Sequence, residues 1–381
     1  MGSIKQNLAN NILSGGKFDA TDLDGTIPNT NINDNSIDNV TSFPAAGSGI
    51  PSVASDPPSP SAGDVWYNTT SNTFKYLGVT TTGSWATGPN MNDGTSYAGS
   101  SGDGTDSNLA FGGALGTPFP DYTGKTELYN GSTWSEVADL NTARNGVGGA
   151  GANNTSALAI AGSSPGGSPP SPNVTESWNG SSWTEVNDLS SARNQVMSAG
   201  VLTTALSVGG SDMPDKSITE EWNGTSWTEV NDLNTGRYGG GASGISSTSV
   251  LVFGGYDTPP APGPTGYQGT TESWNGSSWT EVNDLNTRRY AVKGTGASNT
   301  SAIAFGGQTI PGAYSGVTEI WNGTSWTEDT DLSTVRYNAG SGGTATTALA
   351  FGGNSGPDTP TIATEQWVAA GSPVTKTVTT A

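Results

Sequence analysis

The chain has 381 residues, 56 of them glycine, and 33 acidic against 13 basic side chains give it a formal charge of −20; it contains neither cysteine nor histidine. The missing cysteines exclude disulfides, thiolate nucleophiles and thiolate metal sites, and the missing histidines exclude imidazole general-base catalysis and imidazole ligation. The anionic balance disfavours phosphate backbones, so no nucleic-acid partner is expected, and no run reaches the apolar length of a spanning helix, so no membrane insertion is expected.

Residues 1–60 are polar, rich in Asn and Asp and then in Pro and Ser, with Phe18 and Phe43 as their only aromatics. Such a segment cannot build a core alone, so it is expected to be extended and to order only against partners or copies of itself. Residues 61–95 read as connector hairpins or a partial repeat unit, because DVWYNTTSNTFKYLGVTTTGSWATGP has strand-like runs but lacks the first strand of the units that follow.

From residue 96 to 381 the chain repeats itself. TELYNGSTWSEVADLNTAR, TESWNGSSWTEVNDLSSAR, TEEWNGTSWTEVNDLNTGR, TESWNGSSWTEVNDLNTRR and TEIWNGTSWTEDTDLSTVR close on Arg144, Arg193, Arg237, Arg289 and Arg336, at spacings of 49, 44, 52 and 47 residues. That period, without a 3.6-residue apolar rhythm, selects a propeller-type array over a helical solenoid. Each unit reads as four strands: a Gly-rich stretch after the Arg, an apolar run ending in a glycine pair, a TE-x-W strand, and an SW-x-E-V strand reached through Asn-Gly. If Asn179-Gly180 is a two-residue hairpin loop, Trp178 faces Ser181 and Glu176 faces Trp183, and both Trp side chains share one face as diagonal neighbours. Trp134, Trp183, Trp227, Trp279 and Trp326 then mark one aromatic face per sheet. In SALAIAG, Leu158 and Ile160 take one face and the alanines the other, so a large face can meet a small one when units stack.

This pattern resembles the kelch-type β-propeller, through the pairs Gly112-Gly113, Gly209-Gly210, Gly254-Gly255, Gly306-Gly307 and Gly352-Gly353 and the Trp downstream of each of the first four. Two departures stand out: Ala161-Gly162 replaces one pair, and the two hairpin aromatics are closer together than kelch repeats usually place them. The expected fold is therefore all-β, a kelch-like β-propeller of six or seven four-stranded blades behind an extended polar N-terminal segment. TEQWVAAGSPVTKTVTTA is expected to supply a sixth hairpin; the segment 61–95 adds a seventh blade if it joins the ring.

The DPPSPSAGDVWYNTTSNTFKYL string, with ATDLDGTIPNTNINDNSIDNVTSF before it, resembles N-terminal and connector segments of tail-fibre and other virion proteins of tailed bacteriophages, particularly those of marine cyanobacteria. The resemblance implies a location on the virion, docking to other virion proteins or pairing between copies through residues 1–60, with a homo-oligomer such as a trimer, and an exposed propeller that binds a host-surface glycan or protein. A purely structural or decorating subunit is the other reading.

No catalytic residues are expected. The acids Glu136, Glu185, Glu229, Glu281 and Glu328, with Asp139, Asp188, Asp232, Asp284 and Asp331, recur in every unit, whereas a glycosidase pair occurs once. A ring of Asp–Arg links between blades is the expected use of these aspartates. No metal site is expected and no cofactor is implied, calcium being the one ion the oxygen-rich loops leave open. The sequons at Asn130, Asn179, Asn223, Asn275 and Asn322 are read as turn residues rather than glycan acceptors. The ligand-binding candidates are aromatics of the variable loops between second and third strands: Phe119, Tyr122, Tyr256, Tyr267 and Tyr314.

Overall fold

The computed structural model describes residues 50–377 apart from 62, 80–81, 117–120, 166–172, 213–215, 259–265, 311, 358 and 372. The expected docking segment therefore lies outside the described residues up to position 49, as does Phe119. The chain divides into two units, Met1–Thr82 with Ala370–Ala381, and Gly83–Ala369.

The larger unit is a β-propeller of six four-stranded blades. Blade 1 runs through Gly99–Ser101, Asn108–Phe111, Thr126–Tyr129 and Trp134–Val137. Blades 2 to 5 begin at Gly148–Asn153, Met197–Val201, Gly241–Ser243 and Lys293–Ser298 and end at Trp183–Val186, Trp227–Val230, Trp279–Val282 and Trp326–Asp329. Blade 6 takes Gly340–Gly343, Thr347–Phe351 and Thr364–Val368, and then Ser84–Thr87 as its outer strand.

Two expectations change at this point. The tail of TEQWVAAGSPVTKTVTTA does not fold back as a hairpin, because Pro373–Thr377 pairs with Thr73–Val79 in the smaller unit. Nor does the segment 61–95 add a seventh blade: Val65–Asn68 and Thr73–Val79 form their own sheet with Ser52–Val53 and Pro373–Thr377, while Ser84–Thr87 completes the sixth blade. The propeller thus begins at Gly83 and ends at Ala369 rather than spanning 96–381. Trp85 lies opposite Trp367, with ring centroids 5.4 Å apart, in the place that a Trp of the same chain run fills elsewhere.

The hairpin register also differs from the expectation. Trp178 pairs directly with Trp183 and Glu176 with Glu185 across a four-residue loop. Asn179 Oδ1 accepts the amides of Ser181 and Ser182, an Asx turn, and of the Asn-Gly pair only Gly180 has positive φ, at +94°. A type I′ turn needs positive φ at both. The Trp side chains still share a face, as an opposed pair whose centroids are 5.4 Å apart.

Blade stacking follows the large-on-small arrangement. Ala157, Ala159, Trp178 and Trp183 of blade 2 pack on Leu109 and Phe111 of blade 1. Leu158 and Ile160 pack on Ala205 and Trp222 of blade 3. One buried Trp is worth on the order of 4–6 kcal/mol gross at about 25 cal/mol per Å2. Its indole N–H cannot be left dry, and each outer-strand Trp donates to a Thr of the preceding blade. Trp183 reaches Thr126, Trp227 Thr175, Trp279 Thr219, Trp326 Thr271, Trp85 Thr318 and Trp134 Thr364, at 3.0–3.2 Å. The last of these joins blade 1 to blade 6 and closes the ring.

The inter-blade ion pairs use different acids from those expected. Arg144, Arg193, Arg237, Arg289 and Arg336 pair with Glu176, Glu220, Glu272, Glu319 and Glu365, the glutamates of TE-x-W, at 2.6–2.8 Å. The aspartates act within their own blade instead, Asp188 Oδ1 accepting the Thr175 amide and Asp232, Asp284 and Asp331 doing likewise for Thr219, Thr271 and Thr318. A guanidinium with no exposed surface needs a carboxylate that is equally dry, and only the third-strand Glu lies inside the sheet stack.

In the smaller unit, Asp56 is the hub. It accepts the Trp66 indole N–H at 3.0 Å and the Asn68 amide at 2.7 Å, and it pairs with Lys75 at 2.8 Å. These donors, the Lys75 bond first, hold its carboxyl down to about 2. Its contribution is therefore complete above about pH 4 and is lost as pH falls through the depressed value. The Trp66 indole N–H resonance should titrate with a midpoint near pH 2 in the native chain and show no such step in D56N. In urea unfolding, Trp85→Ala is expected to cost about 2–4 kcal/mol, comparable to Trp227→Ala; a loss below about 1 kcal/mol would mean that the sixth blade does not depend on this strand.

Candidate functional site

The second-to-third-strand loops and the blade-to-blade connections emerge at the same end of the propeller, because the first strand starts there and the second ends there. The glycine pairs bring the connections together. The amide of Gly113 donates to the carbonyl of Arg144 at 2.8 Å, and Gly210, Gly255 and Gly307 repeat this toward Arg237, Arg289 and Arg336. Both glycines of a pair have positive φ, +65° and +105° for Gly112 and Gly113, and a Cβ on Gly113 would lie 2.6 Å from the Ser96 carbonyl oxygen.

Two residues beyond each Arg the backbone is left-handed, at Gly146, Gln195, Gly239, Ala291 and Asn338, with Tyr97 in the equivalent place before blade 1; φ lies between +50° and +63°. These residues are tied to one another across blades. Gly146 donates to Tyr97 at 2.9 Å, Gln195 to Gly146 at 2.8 Å, Gly239 to Gln195 at 3.0 Å, Asn338 to Ala291 and Tyr97 to Asn338 at 3.1 Å. The result is a backbone collar around one mouth of the central channel. Tyr97, Gln195, Ala291 and Asn338 hold φ values that L-residues adopt at a cost of roughly 1–2 kcal/mol each, which the collar bonds offset.

The channel itself is narrow, about 90 Å3, and its described walls are glycine, alanine, serine and other uncharged side chains except for Lys293. A smaller pocket at the collar is lined by Tyr97, Gly146, Gln195, Gly239, Lys293 and Asn338, among others. Burial pushes the Lys293 ammonium down to about 8.

Tyrosines surround this mouth. Tyr256 and Tyr267 pack with Tyr238 and Tyr290 at centroid distances of 5.6–6.2 Å, and Tyr314 stacks on Tyr337 at 4.8 Å, which in turn meets Tyr97 edge-on. Tyr267 donates to Gln308 Oε1 at 3.0 Å, linking two neighbouring loops, and Tyr290 donates to Gln195 Oε1 at 2.7 Å. Burial raises the Tyr290 hydroxyl well above the usual phenol range and raises Tyr267 as well.

Of the candidates read from the sequence, Tyr256, Tyr267 and Tyr314 thus come together at one mouth, and each also braces its own loop. Tyr122 bridges to Ala114 in blade 1, away from the ring clusters. Tyr97, Tyr238, Tyr290, Tyr337, Gln195, Asn338 and Lys293 were not among those candidates. A signal for some of them exists: Tyr238, Tyr290 and Tyr337 each directly follow a repeat Arg, so their common register is visible in the chain.

Five of the junctions rest on the buried ion pair. Arg289 also donates to the carbonyls of Gly306 at 2.9 Å and Val317 at 2.5 Å. Desolvation lowers the Arg289 guanidinium from its usual range, with Glu319 opposing the shift. Among the described residues, no cluster of three or more acidic side chains is arranged to hold a metal ion.

No protein-family model matches the chain, and no curated protein matches it. Among solved structures it is similar to YjhT, with a TM-score of 0.61 and 12% identity over 76% of this chain and 99% of that one. At that identity the likeness concerns the fold alone.

Arg289→Met should cost about 3–5 kcal/mol in chemical denaturation, because it strands Glu319 in a dry site. Adding Glu319→Leu should recover at least half of the loss. A double variant no more stable than the single would show that the carbonyl contacts of Arg289, and not the ion pair, hold the junction.

Proposed function

We propose that this chain is a virion protein of a tailed bacteriophage, displayed on the particle, whose propeller binds a host-surface glycan through the tyrosine-lined mouth. The observation that carries the binding part is the convergence of Tyr97, Tyr238, Tyr256, Tyr267, Tyr290, Tyr314 and Tyr337 at the end where the variable loops emerge. Aromatic faces with a polar tip suit sugar rings, which present apolar C–H faces and hydroxyl edges. Support for the virion location comes from the likeness of DPPSPSAGDVWYNTTSNTFKYL to phage connector segments. Asp56 of that string binds Trp66, Asn68 and Lys75, which supports reading it as a folded module that precedes the propeller in the sequence.

A non-enzymatic role is supported by the commitment of the buried acids. Glu176, Glu220, Glu272, Glu319 and Glu365 each face an arginine and backbone amides rather than a cleft. Docking to other virion proteins through residues 1–60, and a homo-oligomer built there, belong to the same proposal. Multiple copies on one particle would convert weak single-site binding into avidity.

A second reading has its own observation. Ile310, Val335 and Ile362, 41–43% exposed, lie on the loops of this same end and favour a protein partner, either on the host or in the particle. Saturable binding of the full chain to host cells and to a glycan array, weakened at least tenfold by Tyr314→Ala or Tyr267→Ala, is the expected result. Binding that ignores both substitutions and the array but is abolished by Ile310→Asp with Ile362→Asp would replace the glycan with a protein partner.

A further inference from the structure

Lys293 breaks the pattern of its position. The equivalent place in the inner strands is Gly99, Gly148, Gly241 and Gly340, and Met197 in blade 3, all paired with the last residue of the second strand as Lys293 is with Phe305. A stack of small residues there is explained by the large side chain opposite; Phe351, for example, occupies the space a Cβ on Gly340 would need. Nothing in blade packing calls for a cation. Lys293 has no ion pair or hydrogen bond among the described residues, and the neighbouring inner strands Gly241–Ser243 and Gly340–Gly343 hold no ionisable side chain. In a chain of net charge −20, an unpartnered ammonium lining a narrow channel is a costly feature that structure alone does not require.

The other side chains at the collar pocket present donors as well. Asn338 is 4% exposed and its Nδ2 has no acceptor. Gln195 accepts from Tyr290 through Oε1, which leaves its Nε2 as the free end of the amide. The collar carbonyls of Tyr97, Gly146, Gln195, Ala291 and Asn338 are already taken by the collar amides. A pocket with one ammonium, two amide donors and five of the six collar carbonyls occupied, that of Gly239 being the exception, is complementary to an anion.

We propose that the channel mouth is an anion site in which Lys293 Nζ, with the amides of Asn338 and Gln195, holds a small monoanion such as a carboxylate. The pocket has room for a group of about water size, roughly 10 Å3, opening on the channel of about 90 Å3. That matches one chloride ion or the oxygen end of a carboxylate, the rest of a formate or acetate lying in the channel and the ring of a uronic acid outside against the tyrosines. The second source rests on the glycan reading; the anion site itself does not.

Calorimetric titration of the full chain in chloride-free zwitterionic buffer, with sodium acetate, sodium chloride, glucuronate and glucose, separates these. Wild type is expected to bind acetate or chloride at one site, and Lys293→Met at least tenfold more weakly; Met197 in the equivalent position indicates that this variant folds, and Lys293→Gln provides a second. No binding of any anion by wild type, or unchanged binding by both folded variants, overturns the proposal. Glucuronate bound tenfold tighter than acetate, with that gain and not the acetate affinity lost in Tyr314→Ala, supports the site and identifies an acidic sugar as its source. Equal affinity for acetate and glucuronate, still lost in Lys293→Met, supports the anion site and rejects its link to glycan binding.

Discussion

A buried guanidinium at the junction between blades is the constraint on which the rest of this propeller depends. It cannot be left alone in a dry sheet stack, so each repeat that presents an Arg must present a Glu on the third strand of the following blade. The same Arg offers its backbone carbonyl to the amide of the second glycine of the preceding blade, and that carbonyl leaves the first glycine of the pair no room for a side chain. One residue type thereby fixes the angle between neighbouring sheets, the approach of the loop and the turn into the next inner strand. Where the ring closes there is no Arg. Thr95 occupies the place, its carbonyl still receives the Gly353 amide, and Glu127 is satisfied by the Asn92 and Asp93 amides and the Asn92 side chain.

Closure uses both ends of the propeller run. Ser84–Thr87 enters blade 6 from the N-terminal side, and the chain beyond Val368 leaves for the sheet of the smaller unit. Neither sheet can be completed from one end of the sequence alone. The arrangement removes the free edge that an unclosed sixth blade would expose.

With the junctions held identical, variation is confined to positions that the frame does not need. The collar backbone is the same six times over, yet its side chains are tyrosine, hydrogen, glutamine, hydrogen, methyl and asparagine amide. The residue just before each collar position is Tyr at 238, 290 and 337 and Ser or Asn elsewhere. A rigid ring with individually variable groups pointing at one mouth is the usual arrangement by which a repeat scaffold supports recognition.

Much of the frame was legible in the chain. Period, glycine pairs and Trp positions determined an all-β propeller with aromatic blade faces, because each repeat carries an apolar face it cannot bury alone. Even the closing strand left a trace: Trp85 precedes Met91 by six residues and Thr95 by ten, as Trp183 precedes Leu189 and Arg193. It was hidden because Arg gave way to Thr and the Asn-Gly turn was absent. Other features belonged to the tertiary structure alone. Whether Arg meets Asp or Glu depends on which acid is dry, and the two lie twelve residues apart in every repeat. The turn type depended on the Asn side chain capping two amides. Nothing in RRYAVKGTG marks Lys293 out, and only the closed ring, which carries the inner strand to the channel wall, made it a half-buried cation at a mouth lined with donors.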